Sequence, residues 1–185
     1  NFRCSWSPDS RWLVYSRDLD NYHNAIFIFD TRSKKVQQVT DGYYRFDNPV
    51  FDAEGKYIYL TTSQSFTPYY SDLDNTFIYG NSTRLAVISL QKTTPSLLYP
   101  KNDTVSVKQE ELKPEDKKPD DKKKDNKNKT AEEKKPAVTP VEIDFDNLEA
   151  RMVLLPPAAG NYGKISSAKG KIIYLKLPGN GTKDG

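Results

Sequence analysis

A short motif that recurs along the chain constrains the fold more than any other feature of the sequence. Residues 6–15 (WSPDSRWLVY) align with residues 51–60 (FDAEGKYIYL) at an offset of 45, and residues 170–175 (GKIIYL) repeat the tail of the motif. Each copy holds a tight turn, then a basic residue, then an apolar and aromatic run that is typical of a β-strand. Gly55 and Gly170 can supply the positive φ that a tight hairpin turn often requires. The repeat therefore predicts antiparallel hairpins at intervals along the chain.

A second apolar run follows the first two hairpins. It comprises residues 25–29 (AIFIF) in the first unit and residues 85–88 (LAVI) in the second, at an offset of 59, so 14 extra residues are expected around positions 66–81. Four short strands in about 40–45 residues is the period of a β-propeller blade. A plain antiparallel meander or a β-sandwich would also show short alternating strands. The recurrence of the same turn chemistry at blade length favours the propeller.

Residues 101–140 differ from the rest of the chain in composition. They contain 12 Lys, 5 Asp and 5 Glu but no Phe, Tyr or Trp. Such a segment cannot bury enough apolar surface to offset its conformational entropy, so we expect a disordered insertion between the third and fourth strands of the second blade. Residues 151–155 (RMVLL) are then expected to return to the sheet as the fourth strand.

The expected fold is all-β: two four-stranded β-propeller blades and the start of a third, interrupted by the charged insertion. The first blade is assigned to residues 1–40, the second to residues 41–100 with 141–157, and the third begins within residues 158–185. A closed propeller needs about four to eight blades, and the chain begins at Asn1 rather than at a methionine. We therefore interpret the chain as a segment of a longer protein.

Charge and hydropathy exclude several classes of partner. The formal net charge is +3, and acidic residues are mixed with the lysines of the insertion, so neither a nucleic-acid arm nor attraction to a membrane surface is expected. No run approaches the roughly 18 consecutive apolar residues of a membrane span. The single cysteine, Cys4, cannot form an intrachain disulfide.

The sequence offers no visible machinery for nucleophilic catalysis. Residues 80–84 (GNSTR) lack the second glycine of a nucleophile elbow. The single histidine, His23, lies in a polar turn and is expected to be a solvated loop residue, because a base must come within hydrogen-bond reach of its nucleophile. Cys4 is expected to be a small packed thiol. No catalytic residue is therefore predicted within this chain.

Two further patterns resemble parts of known ligand-binding motifs. Residues 18–21 and 72–75 share the sequence DLDN, but the glycine and distal glutamate of an EF-hand loop are missing, so Asx turns are the expected reading. Residues 158–165 (AAGNYGKI) lack the first glycine and the final Ser or Thr of a P-loop. We expect no metal and no cofactor.

Two segments resemble the propeller region of tricorn-type serine proteases. One is residues 143–156 (IDFDNLEARMVLLP) followed by residues 160–162 (GNY), and the other is residues 66–77 (FTPYYSDLDNTF) followed by residues 82–85 (STRL). The hairpin at residues 6–10 (WSPDS) also resembles TolB-like propellers and those of dipeptidyl peptidases.

The resemblance implies a parent enzyme that is a serine-type peptidase with tandem propellers, a PDZ-like domain and a separate catalytic core. The propellers of that family guide or filter peptides, so the implied partners are peptide substrates, the other domains of the parent chain and further copies in a homo-oligomer. A cytoplasmic location is implied, with a periplasmic one as the alternative. Two alternative functions remain: a TolB-like propeller that binds a protein partner without catalysis, and the propeller of a dipeptidyl-peptidase-like α/β hydrolase.

The innermost strand of each blade should face the central channel of a propeller. Three polar residues lie on the expected innermost strands, and we take them as candidates for contacting a passing peptide. These substrate-channel candidates are Arg3, Asn48 and Lys164.

Overall fold

The computed structural model describes residues 3–65, 68–71, 73–99 and 139–179. These residues belong to one compact unit, and their regular structure is β-strand apart from a single 3-10 turn at Glu149–Arg151. They contain no helix that is long and apolar enough to cross a bilayer. The all-β class is confirmed, whereas the disorder expected of the charged insertion concerns residues that lie almost entirely outside the described ones.

The first four strands form an antiparallel sheet in chain order. They are β1 (Cys4–Trp6), β2 (Trp12–Asp18), β3 (Asn24–Asp30) and β4 (Val36–Gln38). Asp18 is paired with Asn24 at one end of the sheet, and Trp12 is paired with Asp30 at the other. The β2–β3 loop and the β3–β4 turn therefore lie at opposite ends, and we call the end at Asp18 and Asn24 the mouth end.

The second sheet also has four antiparallel strands, but they are not consecutive in the chain. It consists of β5 (Phe46–Phe51), β6 (Tyr57–Thr62), β9 (Arg84–Ser89) and β10 (Met152–Leu154), paired in that order. Between β6 and β9 the chain forms a separate hairpin of β7 (Tyr69–Tyr70) and β8 (Phe77–Ile78). This hairpin lies where the sequence predicts extra residues, and β10 follows the charged insertion.

A two-stranded hairpin of β11 (Asn161–Ala168) and β12 (Lys171–Leu177) follows the second sheet. Its turn holds Gly170 at φ 66°, and the matching turn of the second sheet holds Gly55 at φ 70°. Both glycines thus adopt the positive φ that the repeat predicts. Ser10, at φ 58°, serves the equivalent turn of the first sheet.

The sheets stack face to face, with the second sheet between its neighbours. Alternate side chains of β6 face two different cores, as expected from the two-residue period of a strand. Ile58 and Leu60 pack in the same buried cluster as Val14 of the first sheet. Tyr59 packs instead with Tyr162 of β11. This succession of stacked antiparallel sheets is the arrangement of neighbouring blades in a β-propeller.

The chain that follows the charged insertion becomes part of the core between the first two sheets. Residues 141–148 (the strap) begin at Val141, whose carbonyl accepts a 2.9 Å hydrogen bond from Trp12 Nε1. The backbone N–H of Val141 donates to Asp9 Oδ2 at 2.8 Å. Val141 and Leu148 are both buried. The strap therefore joins the first turn of blade one to the interior of the structure.

An ion pair at the end of the first sheet makes its stability depend on pH. Arg11 Nη2 lies 3.1 Å from Asp30 Oδ2, and this hydrogen bond from the guanidinium holds the pKa of Asp30 well below its usual range. A carboxyl whose pKa is lower in the folded state stabilises the fold above its unfolded pKa of about 3.9. That contribution is lost as the pH falls through the folded pKa.

We expect Asp30→Asn to lower the melting temperature at pH 7 and to flatten its decline between about pH 5 and pH 2, because the variant has no charge left to lose. Melting curves of the wild type and the variant across this range measure the effect. Asp20→Asn, in an exposed loop, is the matched control. Wild-type and Asp30→Asn curves that stay parallel over the whole range would contradict the assignment.

Candidate functional site

The first strands of the three sheets lie side by side, with β5 in the middle. The backbone N–H of Phe51 donates to Ser5 Oγ of β1 at 3.1 Å. From the other side, Ser167 Oγ of β11 donates to the carbonyl of Phe51 at 2.6 Å. These contacts make β1, β5 and β11 one continuous surface, which is where the inner strands of successive blades meet.

The three channel candidates predicted from the sequence line one open cavity on this surface. Arg3, Asn48 and Lys164 share a cavity of ≈ 530 Å³ with apolar groups that include Val50 and Ile165. Arg3 Nη1 donates to Asn48 Oδ1 at 2.5 Å, and Lys164 is exposed within β11. The cavity therefore combines apolar groups with the cationic side chains of Arg3 and Lys164.

A β-bulge in β5 sets the direction of the Asn48 side chain. The register between β5 and β6 shifts between Asp47 and Val50, and Asn48 has φ 51°. Asparagine tolerates this left-handed conformation better than most residues, and a bulge re-aims the side chain that it carries. Asn48 Nδ2 donates to Thr61 Oγ1 at 3.1 Å, so the side chain is held between Thr61 and Arg3.

The carboxylate of Asp47 is engaged by neutral donors beside the bulge. Asp47 Oδ1 accepts hydrogen bonds from Ser16 Oγ and from the backbone N–H of Asn48, both at 2.7 Å. The bond from Ser16 ties the first sheet to the second. Together the two bonds occupy one oxygen of the carboxylate that stands closest in sequence to the bulge.

A larger cavity of ≈ 640 Å³ opens at the mouth end of the first two sheets. We call it the mouth cavity. Its lining consists of Arg3, Ser16, Arg17, Asp18, Asn24, Arg45, Asp47, Asn48, Tyr162 and Gly163.

Arginines dominate the charge of the mouth cavity. Arg3, Arg17 and Arg45 form no ion pair with any of the described residues, although the guanidinium of Arg17 lies 4.4 Å from the ring centre of Phe27. Arg17 and Arg45 are not among the site residues predicted from the sequence. Arg17 lies near the end of β2 and Arg45 immediately before β5, and no motif in the sequence marks either residue.

Cys4 is exposed, so the prediction of a packed thiol is wrong. Cys4 lies on the first strand of its sheet, which has a hydrogen-bonded neighbour strand on one side only, and its side chain lines the smaller cavity with Arg3. His23 is exposed as predicted, and its Nδ1 lies 3.1 Å from the carbonyl of Gly42.

The two DLDN loops contain the local hydrogen bonds of Asx turns. Asn21 Oδ1 accepts from the backbone N–H of His23 at 3.0 Å, and Asp74 Oδ1 accepts from that of Thr76 at 3.4 Å. The described residues contain no group of three or more His, Cys, Asp and Glu that could hold a metal ion. Asn21 and Asp74 thus each accept from a backbone N–H two residues further on, as expected of Asx turns.

Stacked four-stranded antiparallel sheets with a polar surface on their first strands define a β-propeller segment. The chain belongs to the tricorn protease second beta propeller domain family, whose profile matches residues 2–184.

Relatives support the same assignment. Tricorn protease homolog 1 of Streptomyces coelicolor is 26% identical over 176 residues, which cover 94% of this chain and 15% of that protein. Putative tricorn protease homolog 2 of the same organism is 24% identical over 185 residues, covering 96% of this chain and 14% of that protein. The crystal structure of the tricorn protease matches with a TM-score of 0.64 and 19% identity, over 96% of this chain and 15% of that one.

The chain therefore spans about one seventh of the length of the relatives that it matches. The solved structure, at its low identity, supports the fold.

Proposed function

We propose that this chain is a non-catalytic propeller segment that guides peptide substrates toward the catalytic centre of a larger serine-type peptidase. The observation that supports it best is the meeting of Arg3, Asn48 and Lys164, from three successive inner strands, around one open cavity. A surface that combines two cationic side chains, an amide and apolar groups can bind the backbone and side chains of many peptides.

The described residues also favour a role outside the chemical step. Acyl transfer needs an activated nucleophile, a base within hydrogen-bond reach and donors aimed at the developing oxyanion. His23 is exposed in the β2–β3 loop, and its described ring contact is with the backbone carbonyl of Gly42. We infer that catalysis is supplied by another part of the parent protein.

The exposed apolar side chains of β12 indicate where the rest of a propeller would continue. Ile173 is 59% exposed and Leu175 is 50% exposed, on β12, which pairs only with β11 among the described residues. Unpaired edges and bare apolar faces are normally covered by a neighbour. We propose that further blades pack here, and that PDZ-like and catalytic domains and other copies of the protein complete the enzyme.

The double variant Arg3→Gln, Lys164→Gln tests the proposal in the full-length peptidase. We expect kcat/KM for an unstructured peptide of about 20 residues to fall roughly threefold to tenfold, because each exposed charged contact contributes modestly to binding. The kcat/KM for a minimal fluorogenic substrate should stay unchanged, since a short substrate would not span the cavity.

The double variant Lys169→Gln, Lys171→Gln is the matched control, because it removes two charges from the far turn of the same hairpin. Equal losses on long and short substrates would contradict a guiding role. So would complete loss of activity in a folded His23→Ala enzyme, since that result would locate the chemistry in this segment.

A further inference from the structure

Two arginines of the mouth cavity have no part in the proposed guiding surface. Arg17, near the end of β2, and Arg45, immediately before β5, both line the mouth cavity together with Arg3. None of the three is paired with a carboxylate among the described residues. A guanidinium presents several donors in a planar fork that matches a carboxylate or phosphate, so a cluster without such a partner has free binding capacity.

The acidic residues of the mouth cavity do not cancel this capacity. Asp18 and Asp47 are the carboxylates in its lining, against three arginines, so the lining keeps a net positive charge. Asp47 also accepts hydrogen bonds from Ser16 Oγ and from the backbone of Asn48. An anionic group that enters the cavity is therefore attracted to its lining.

An unsatisfied acceptor lies in the same wall. Oδ1 of Asn24 is buried and accepts no hydrogen bond from the described residues, and Asn24 lines the mouth cavity. Leaving a buried acceptor without a donor is costly. The last side-chain torsion of asparagine has a broad range. A modest rotation about it can therefore point Oδ1 of Asn24 toward a ligand N–H in the cavity. A peptide carries such a donor at almost every residue.

We propose that the mouth cavity binds a carboxylate of an extended peptide, paired with Arg17 and Arg45, while Asn24 accepts a backbone N–H of the same peptide. The inference rests on the proposed function, and it adds a charge preference to it. The carboxylate comes from an acidic side chain or from the C-terminus of the peptide. Both sources present the same planar anion to the arginines.

The test measures peptide binding to the full-length protein by fluorescence anisotropy. The anisotropy is read immediately after mixing, before the peptide is cleaved. The probes are 15-residue unstructured peptides that carry a rhodamine label at the N-terminus. One has four glutamates and its twin has four glutamines, and each is made with a C-terminal acid and with a C-terminal amide. We expect at least one of the two neutralisations to weaken wild-type binding about tenfold.

The variant Arg17→Gln, Arg45→Gln should lose this discrimination, and Arg17→Lys, Arg45→Lys should keep part of it, because lysine retains the charge without the fork. The matched control Arg32→Gln, Lys35→Gln removes two charges from the β3–β4 turn at the opposite end of the sheet and should bind as the wild type does. Sensitivity to Glu→Gln identifies a side-chain carboxylate, and sensitivity to the amide identifies the C-terminus.

The proposal is overturned if neither neutralisation weakens wild-type binding, or if the arginine variant weakens the fully neutral peptide as much as the charged ones. Failure of the guiding function is a separate result, because it would appear as an unchanged ratio of long to short substrate cleavage in the Arg3→Gln, Lys164→Gln enzyme. A charge preference that depends on Arg17 and Arg45 would stand even then.

Discussion

Replacing Trp12 with alanine should lower the free energy of unfolding of this region by about 3–5 kcal/mol, the range seen when a large buried aromatic side chain is truncated. Trp12 is 6% exposed, and its ring lies 5.7 Å from that of Phe145 in the strap. Its indole N–H also donates to the carbonyl of Val141. The substitution removes packing and a hydrogen bond between the first blade and the strap. Native-state hydrogen exchange of the full-length protein, followed in peptides from β2 and β3, measures the change.

Trp12→Phe separates the two contributions. Phenylalanine keeps most of the ring contact with Phe145 but leaves the Val141 carbonyl without its donor, so a smaller loss of about 1–3 kcal/mol is expected. A change in β2 exchange for Trp12→Ala that is no larger than the change for Trp12→Phe would contradict a stabilising contact between the Trp12 ring and the strap.

Replacing Arg151 with methionine should be the second most damaging substitution, with a loss of about 2–4 kcal/mol. The guanidinium donates to the carbonyls of Ser89 at 3.0 Å and Leu90 at 3.2 Å. It also donates to the backbone carbonyls of Asp146, at 2.7 Å, and of Asp144. Methionine keeps the aliphatic stem but leaves these carbonyls without their charged donor, so the strap and the end of β9 should separate more readily. Hydrogen exchange in β9 and β10 measures this.

Arg151→Lys restores the charge, but a single ammonium cannot reach carbonyls that the planar guanidinium spans, so most of the loss should remain. Lys92→Met provides the matched control, because Lys92 forms exposed ion pairs with Asp144 and Asp146. It should change exchange little. An Arg151→Met protein that exchanges like the Lys92→Met protein would show that the guanidinium does not hold the strap.

The repeat predicted much of the fold because its residues act locally. Turn residues and alternating apolar runs depend on near neighbours in the chain, so the hairpins at residues 6–15 and 51–60 could be read directly. The larger spacing in the second unit anticipated an additional element, which is the β7–β8 hairpin. The positive φ of Gly55 and Gly170 follows from the same local chemistry.

The candidate site was predicted less completely because it depends on contacts between distant residues. Arg3, Asn48 and Lys164 could be chosen from their strands, but the bulge that turns Asn48 toward Arg3 has no clear signature in the sequence. Arg17 and Arg45 were missed because an arginine near a strand end is ordinary surface composition until the sheets are stacked. The exposure of Cys4 likewise depends on which strand lies at the edge.

The strap shows a different limit of sequence analysis. Residues 141–146 of the strap alternate apolar and acidic side chains, a pattern that also suits a strand. The hydrogen bonds of Val141 instead run to Trp12 and Asp9, more than 120 positions earlier in the chain. Contacts over such separations are set by the packing of complete blades, so periodicity within the segment cannot reveal them.

During synthesis β10 is made well after its partner β9, because residues 90–151 separate these two strands in the chain. At about 5–20 residues per second, a ribosome needs roughly 3–12 seconds to deliver β10 after β9. Lengthening the connection from about 20 to about 60 residues adds only roughly 1 kcal/mol to the entropy of closing it. The long connection therefore costs little free energy but leaves a long interval before β10 is made. During this interval the nascent chain presents β9 as an open edge that can pair wrongly. The second blade is finished by a strand translated long after the other three.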